Sequence, residues 1–118
     1  MGNIRAGNLN RKVEFLRAGA SSHDGYQNVP GPHAAIGTAW ASLKPAKGTE
    51  RFADLGREAR SVMSLWVRWS TVANSLTADD AVRIDGRIYA IVAPPVEIGR
   101  REGWELFLIE DNTIRVLD

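Results

Sequence analysis

No cysteine occurs among the 118 residues. Disulfides and thiolate metal sites are excluded, so the chain must fold without covalent or thiolate–metal staples. Histidine is almost as scarce. His23 and His33 fall in a stretch that reads as a loop, and no third ligand stands at suitable spacing, so no metal site is expected. Neither sign of charge dominates: fifteen Lys and Arg face fourteen Asp and Glu, for a net of +1. That balance is too mild to announce nucleic acid or a membrane surface by itself. No apolar run approaches the roughly 18 residues of a membrane helix. Met1 to Ala6 lacks the apolar core of a signal peptide, and Ala6 breaks the myristoylation pattern. The expectation is a soluble, unprocessed chain with no membrane partner.

The chemistry of catalysis is also missing. Ser21, Ser22, Ser61 and Ser64 stand in no nucleophile-elbow context. The acidic pairs Asp79-Asp80 and Glu110-Asp111 lie at turns, where carboxylates are usually solvated or capping. Gly48 and Gly56 lack the Lys-Ser/Thr ending of a phosphate loop. No catalytic residue, no cofactor and no enzymatic activity are expected.

What the chain does have is a series of short apolar segments punctuated by turns. A single domain over residues 1–118 is expected, with a polar N-terminal arm at 1–11. Lys12 to Arg17 alternates charged and apolar residues, the period of a half-buried strand, with Val13 and Phe15 facing the core. Residues 18–37 are rich in Gly, Ser, Asn and Pro and form a long loop, a length usually tied to function or disorder. A strand from Thr38 to Lys44 follows, stopped by Pro45. Ser61 to Ser70 gives the strongest strand signal: Met63, Leu65, Val67 and Trp69 share one face, and Val62, Ser64, Trp66 and Arg68 the other. Leu76 to Asp80 reads as a turn. Asp85-Gly86 between Ala81–Ile84 and Arg87–Val92 predicts a hairpin with a two-residue type I′ turn. Pro94-Pro95 breaks its second strand, and Glu97 to Gly103 is a charged loop. Gly103 to Ile109 is apolar enough to be central, and Thr113 to Leu117 reads as a short edge strand.

Such spacing predicts an all-β fold: a small antiparallel barrel or sandwich of five to six strands with one short helical insert. That insert, Ala46 to Arg60, projects between two confident strands. Thr49 is suited to cap a short helix carrying Phe52 and Leu55 on one face. From Lys44 to Arg60, five cations (Lys44, Lys47, Arg51, Arg57, Arg60) outnumber three anions (Glu50, Asp54, Glu58). The plain reading is a solvated turn pinned to the barrel by Phe52 and Leu55. The sharper one is that this charged, projecting segment is the part of the chain that does the work. Trp66, on the more polar face of its strand, is an interface candidate, since Trp is enriched in interfaces. A barrel with arginines and aromatics interleaved also fits a small nucleic-acid-binding module.

The order of segments resembles the phage head–tail joining proteins, also called head-closure or stopper proteins. Ala6-Gly7-Asn8-Leu9-Asn10-Arg11-Lys12-Val13 is similar to the family's opening Gly-x-Leu, basic residue and first strand. Thr38 to Pro45 with Gly48-Thr49-Glu50-Arg51-Phe52 is similar to its strand and Gly-x-Glu loop. Leu65-Trp66-Val67-Arg68-Trp69 resembles its arginine-bearing strand, and Asp80 to Ile91 its Asp-Gly hairpin. The first loop departs, with Asp24-Gly25-Tyr26-Gln27-Asn28 in place of Asp-x-x-Gly, as does the tail Asp111 to Asp118.

The resemblance implies a virion protein at the head–tail interface, assembled in the bacterial host cytoplasm. It implies a ring, a hexamer or a dodecamer, under the portal–adaptor complex and above a tail terminator or tail tube. Such a ring retains packaged double-stranded DNA and offers the tail its platform. In some relatives the loop between the second and third strands gates the channel; here it maps onto Ala46 to Arg60, with Lys47, Arg51, Arg57 and Arg60 as DNA-facing residues. Phe52, Leu55, Trp66, Arg100 and Arg101 are then the interface candidates. A tail-terminator or tail-tube component is the alternative within the same setting.

Overall fold

A computed structural model describes residues 9–19, 22–23, 28–29, 31–46 and 62–117. Its strands in chain order are β1 (Arg11–Ala18), β2 (Ser22–His23), β3 (Asn28–Val29), β4 (His33–Pro45), β5 (Met63–Arg68), β6 (Ala81–Ile84), β7 (Arg87–Ile91), β8 (Val96–Ile98) and β9 (Gly103–Glu110). A short helix, α1 (Thr71–Asn74), separates β5 from β6.

Six strands close into an antiparallel barrel in the order β5-β4-β1-β6-β7-β9, and β9 returns to pair with β5. Closure leaves these strands few free edges. β7 meets β9 at Leu108 to Glu110, and β8 meets it at Gly103 to Glu105. Both therefore share the β9 edge that β5 leaves free. They are two parts of one strand, interrupted at Pro94-Pro95 because proline has no N–H to give the ladder. β2 and β3 pair separately as a small hairpin.

The alternation expected of β1 is present: Val13 and Phe15 are buried in the core with Leu65, Val67, Val82, Ile84, Leu106 and Leu108. Leu16 is buried too, which strict alternation does not predict. The register slips at this step: Phe15 pairs with Gly37 and Leu16 with Ala35, so Ile36 is the extra residue of a β-bulge in β4. The Asp85-Gly86 turn is the expected one. Asp85 has φ 52° and Gly86 φ 81°, positive at both central positions as a type I′ turn requires.

Three expectations need correction. β4 begins at His33, not Thr38, so His33 belongs to a strand; cross-strand bonds to β1 override the loop-like composition of this stretch. Glu97 lies in β8, because pairing with Trp104 extends the sheet beyond the prolines. The edge strand at Thr113 to Leu117 reduces to one parallel bridge, Val116 to His33, with His33 N–H donating to the Arg115 carbonyl and Leu117 N–H to that of His33. The helical insert expected at 46–60 falls outside the described residues, apart from its root at Ala46.

The helix that is described was not legible as one. Ser70 caps α1, its side chain accepting from Ala73 N–H at 3.1 Å. Ala73 and Leu76 plug into the core at one mouth of the barrel. Gly37 permits this: an added Cβ would stand 3.0 Å from a methyl of Val72. Beside the plug, the Asp80 carboxylate is buried and accepts two bonds from Arg17 (3.0 Å each) and one from Thr77 N–H (2.9 Å). The hydrogen bond to Asp80 raises the Arg17 pKa above its ordinary value, against the lowering effect of burial. At the start of the tail, Asp111 accepts from the Thr113 hydroxyl (2.6 Å) and N–H (2.9 Å). Those two bonds, the hydroxyl first, hold its carboxyl below the usual range.

Candidate interaction surfaces

The sheet register fixes where each proposed surface residue stands. β4 and β5 pair from Ala41–Val67 to Pro45–Met63, so the 46–62 connection leaves the end of β5 remote from α1. Its base is closed by Ala46 N–H donating to the Val62 carbonyl at 2.9 Å. Val62 and Phe107 are buried there on the outer face of the barrel, packed with Ala46, Val92, Ala93 and Ile109. This satellite cluster anchors the roots of the insert to the wall. Lys47, Arg51, Phe52, Leu55, Arg57 and Arg60 themselves lie outside the described residues.

Trp66 is half-buried on the outer face of β5, between Ser42 of β4 and Glu105 of β9. The Lys44 ammonium stands 5.9 Å from its ring centroid, within cation–π range. Ser64 is buried on the same face and donates to Glu105 at 2.6 Å. Arg100 and Arg101 are exposed in the β8–β9 turn, at the α1 end of the barrel. Arg101 is held in the left-handed region at φ 59°, its N–H donating to the Glu97 carboxylate. Among the described residues, Trp66 therefore stands apart from Arg100 and Arg101. Trp66 sits midway along the wall, with the arginine turn at one end and the insert root at the other.

Trp69 does not join the core face of β5 as its parity suggests. The strand ends at Arg68, and Trp69 N–H donates to the Glu102 carbonyl instead. Its ring stacks on Trp104 with centroids 5.4 Å apart and planes 14° from parallel. Trp104 in turn donates its indole N–H to Asn74 at 2.9 Å, tying the stack to α1.

A surface that sequence reasoning did not single out centres on Trp40, the most exposed aromatic described, at 57%. A groove of about 520 Å³ runs beside it, lined by Leu9, Thr38, Ala39, Trp40, Arg68 and Ser70. The signal was present in the sequence: Trp40 shares its strand face with Ser42 and Lys44, opposite Ala41 and Leu43. A second hollow, lined by Arg11, Leu43, Ile84, Asp85, Arg87 and Tyr89, lies beside the Arg11–Asp85 ion pair (2.6 Å). On the wall between them, Glu14 of β1 pairs with Arg83 of β6.

Comparison with known proteins adds two findings. A family model described as phage head completion protein matches residues 4–111. The solution structure of protein SF1141 from Shigella flexneri 2a superposes with a TM-score of 0.68 at 17% identity, covering 92% of this chain and 98% of that one. At that identity the likeness is one of fold alone. No curated protein matches the chain.

Proposed function

The chain belongs to the phage head completion protein family, and from that premise we propose that it closes the head as a ring beneath the portal–adaptor complex. Phage head completion is the family role, and with it comes a place in the virion at the head–tail interface. The finer reading is a structural connector that retains packaged double-stranded DNA and gives the tail its platform. The observation that carries it is the family match across residues 4–111, which takes in the whole barrel and the insert.

The physics of the insert supports a channel-facing position. Both of its ends are clamped on the barrel wall, by the Pro45–Met63 pair and by the buried Val62 and Phe107. A basic segment on a rigid frame makes sequence-independent contacts to phosphates. One copy contributes little, but a ring of copies multiplies weak contacts through effective concentration. In this reading Lys47, Arg51, Arg57 and Arg60 face DNA, Phe52 and Leu55 pack on the barrel or a neighbour, and Trp66, Arg100 and Arg101 contact adjoining subunits.

Docking is the decisive experiment. Purified protein mixed with its cognate portal–adaptor complex is expected to add a ring visible by electron microscopy. Binding to tail tubes without binding to the portal–adaptor complex would move the protein into the tail and sink the head-closure reading. A second test isolates the insert. Replacing Lys47, Arg51 and Arg57 together by Ser is expected to leave the melting temperature unchanged while packaged DNA leaks from otherwise complete heads. Normal DNA retention in that variant would remove the channel role from the insert.

A further inference from the structure

β4 is the longest strand of the barrel, and only part of it is paired on both edges. β1 covers one edge from His33 to Ala41. On the other, β5 covers Ala41 to Pro45, and the tail touches only His33. Between Ala34 and Trp40 that second edge has no strand partner among the described residues. The cause is local. After the Ala41–Val67 pair the two strands splay, because Trp69 follows Glu102 and the chain turns into α1. The groove of about 520 Å³ lies at this splay.

Open sheet edges are usually guarded by charge or proline, since an unguarded one recruits other chains. Ala34-Ala35-Ile36-Gly37-Thr38-Ala39-Trp40 contains neither. Ile36 and Trp40 are exposed on it. The edge also accepts strand bonds already: His33 turns its N–H and carbonyl away from β1 to the tail. Strand alternation turns those of Ala35 the same way.

We propose that this edge of β4 is a strand-addition site, taking an extended segment of a neighbouring particle protein. The segment lays an apolar side chain against Leu9, Ala39 and Trp40 and a carboxylate against Arg68. Main-chain bonds supply affinity and the side-chain pockets supply choice, as in other β-augmentation. Charge selects the occupant. Arg68 lines the groove, Lys12 stands across from Trp40 on β1, Glu14 across from Thr38 is already paired with Arg83, and no carboxylate is among the described lining residues. The chain's own Met1 to Asn8 is a poor charge match: it has no carboxylate, and its one charged side chain, Arg5, has the same sign as Arg68. That the partner is a head or tail protein rests on the head-completion reading.

Hydrogen–deuterium exchange over residues 34–40 tests the site, comparing free protein with particles assembled from cognate portal, adaptor and tail. Outward-turned amides are expected to exchange rapidly in the free protein and about 100-fold more slowly in the particle, since a ladder bond must break before exchange. Trp40→Ala with Arg68→Glu is expected to keep the melting temperature, abolish that protection and reduce completed particles at least about tenfold, as loss of an aromatic anchor and a charge pair does. Unchanged exchange in particles that hold the protein at the joint would overturn the site and leave the head-completion reading intact. Absence of the protein from the joint would overturn both. Slow exchange in the free protein that is relieved by deleting Met1–Asn8 would give the edge to the chain's own arm. Protection that rises with concentration of the free protein would give it to a second copy. Either result overturns the proposal.

Discussion

Phe15→Ala is expected to lower the unfolding free energy by about 3–5 kcal/mol, the cost of truncating a fully buried aromatic. Phe15 is completely buried at the middle of β1, between Gly37 of β4 and Val82 of β6. A site can soften such a loss by collapsing into the space. This one is poorly placed to do so. Each neighbouring strand is bonded on through the closed ring, so no strand can move inward alone. The space above Gly37 is already taken by Val72. At about 4 °C per kcal/mol for a domain of this size, the melting temperature should fall by roughly 12–20 °C. Calorimetry or urea titration reads the change. Ile36→Ala, at the exposed bulge of the same sheet, is the control and should stay within about 0.5 kcal/mol. A Phe15→Ala loss under about 1 kcal/mol would mean that the barrel is not closed around this ring.

Asp80→Ala carries the second large effect, about 2–3 kcal/mol. The Asp80 carboxylate holds three donors, two from Arg17 and one from Thr77 N–H. Its side chain is only 3% exposed, so its removal takes the acceptor from donors that it shields from solvent. The Arg17 side chain is 41% exposed and recovers water on one side, which keeps the loss below that of a fully buried pair. Arg17 also bonds the Ser75 carbonyl at 2.9 Å, so the pair ties β1 to the segment that follows α1. Urea titration of Asp80→Ala beside Asp80→Asn separates charge from shape. Asn keeps one acceptor oxygen for Thr77 and should recover part of the loss. Equal stability of Asp80→Ala and the parent would show that Arg17 and Thr77 are fully hydrated without it.

The sequence by itself determined the all-β class and the inward faces at the centres of β1 and β5. Val13 and Phe15 flank Glu14, and Leu65 and Val67 fall on the face of β5 opposite Ser64 and Arg68, the period of two that marks a half-buried strand; Leu106 to Ile109 reads as a central strand from its unbroken apolar run instead. It also determined the Asp85-Gly86 hairpin, because few residue pairs take positive φ twice in succession. The joint order of these segments was sufficient to point to the family.

Tertiary structure alone decided what happens where elements meet. The burial of Asp80 depends on Arg17, 63 positions away. The length of β4 depends on β1 and the tail, which carry His33 to Gly37 into the sheet despite their loop-like composition. Trp69 leaves the core because its N–H finds Glu102 and its ring finds Trp104. The Trp40 groove exists because β4 and β5 diverge after one particular pair. Local propensity acts over a few residues, whereas each of these outcomes is set by contacts between distant parts of the chain.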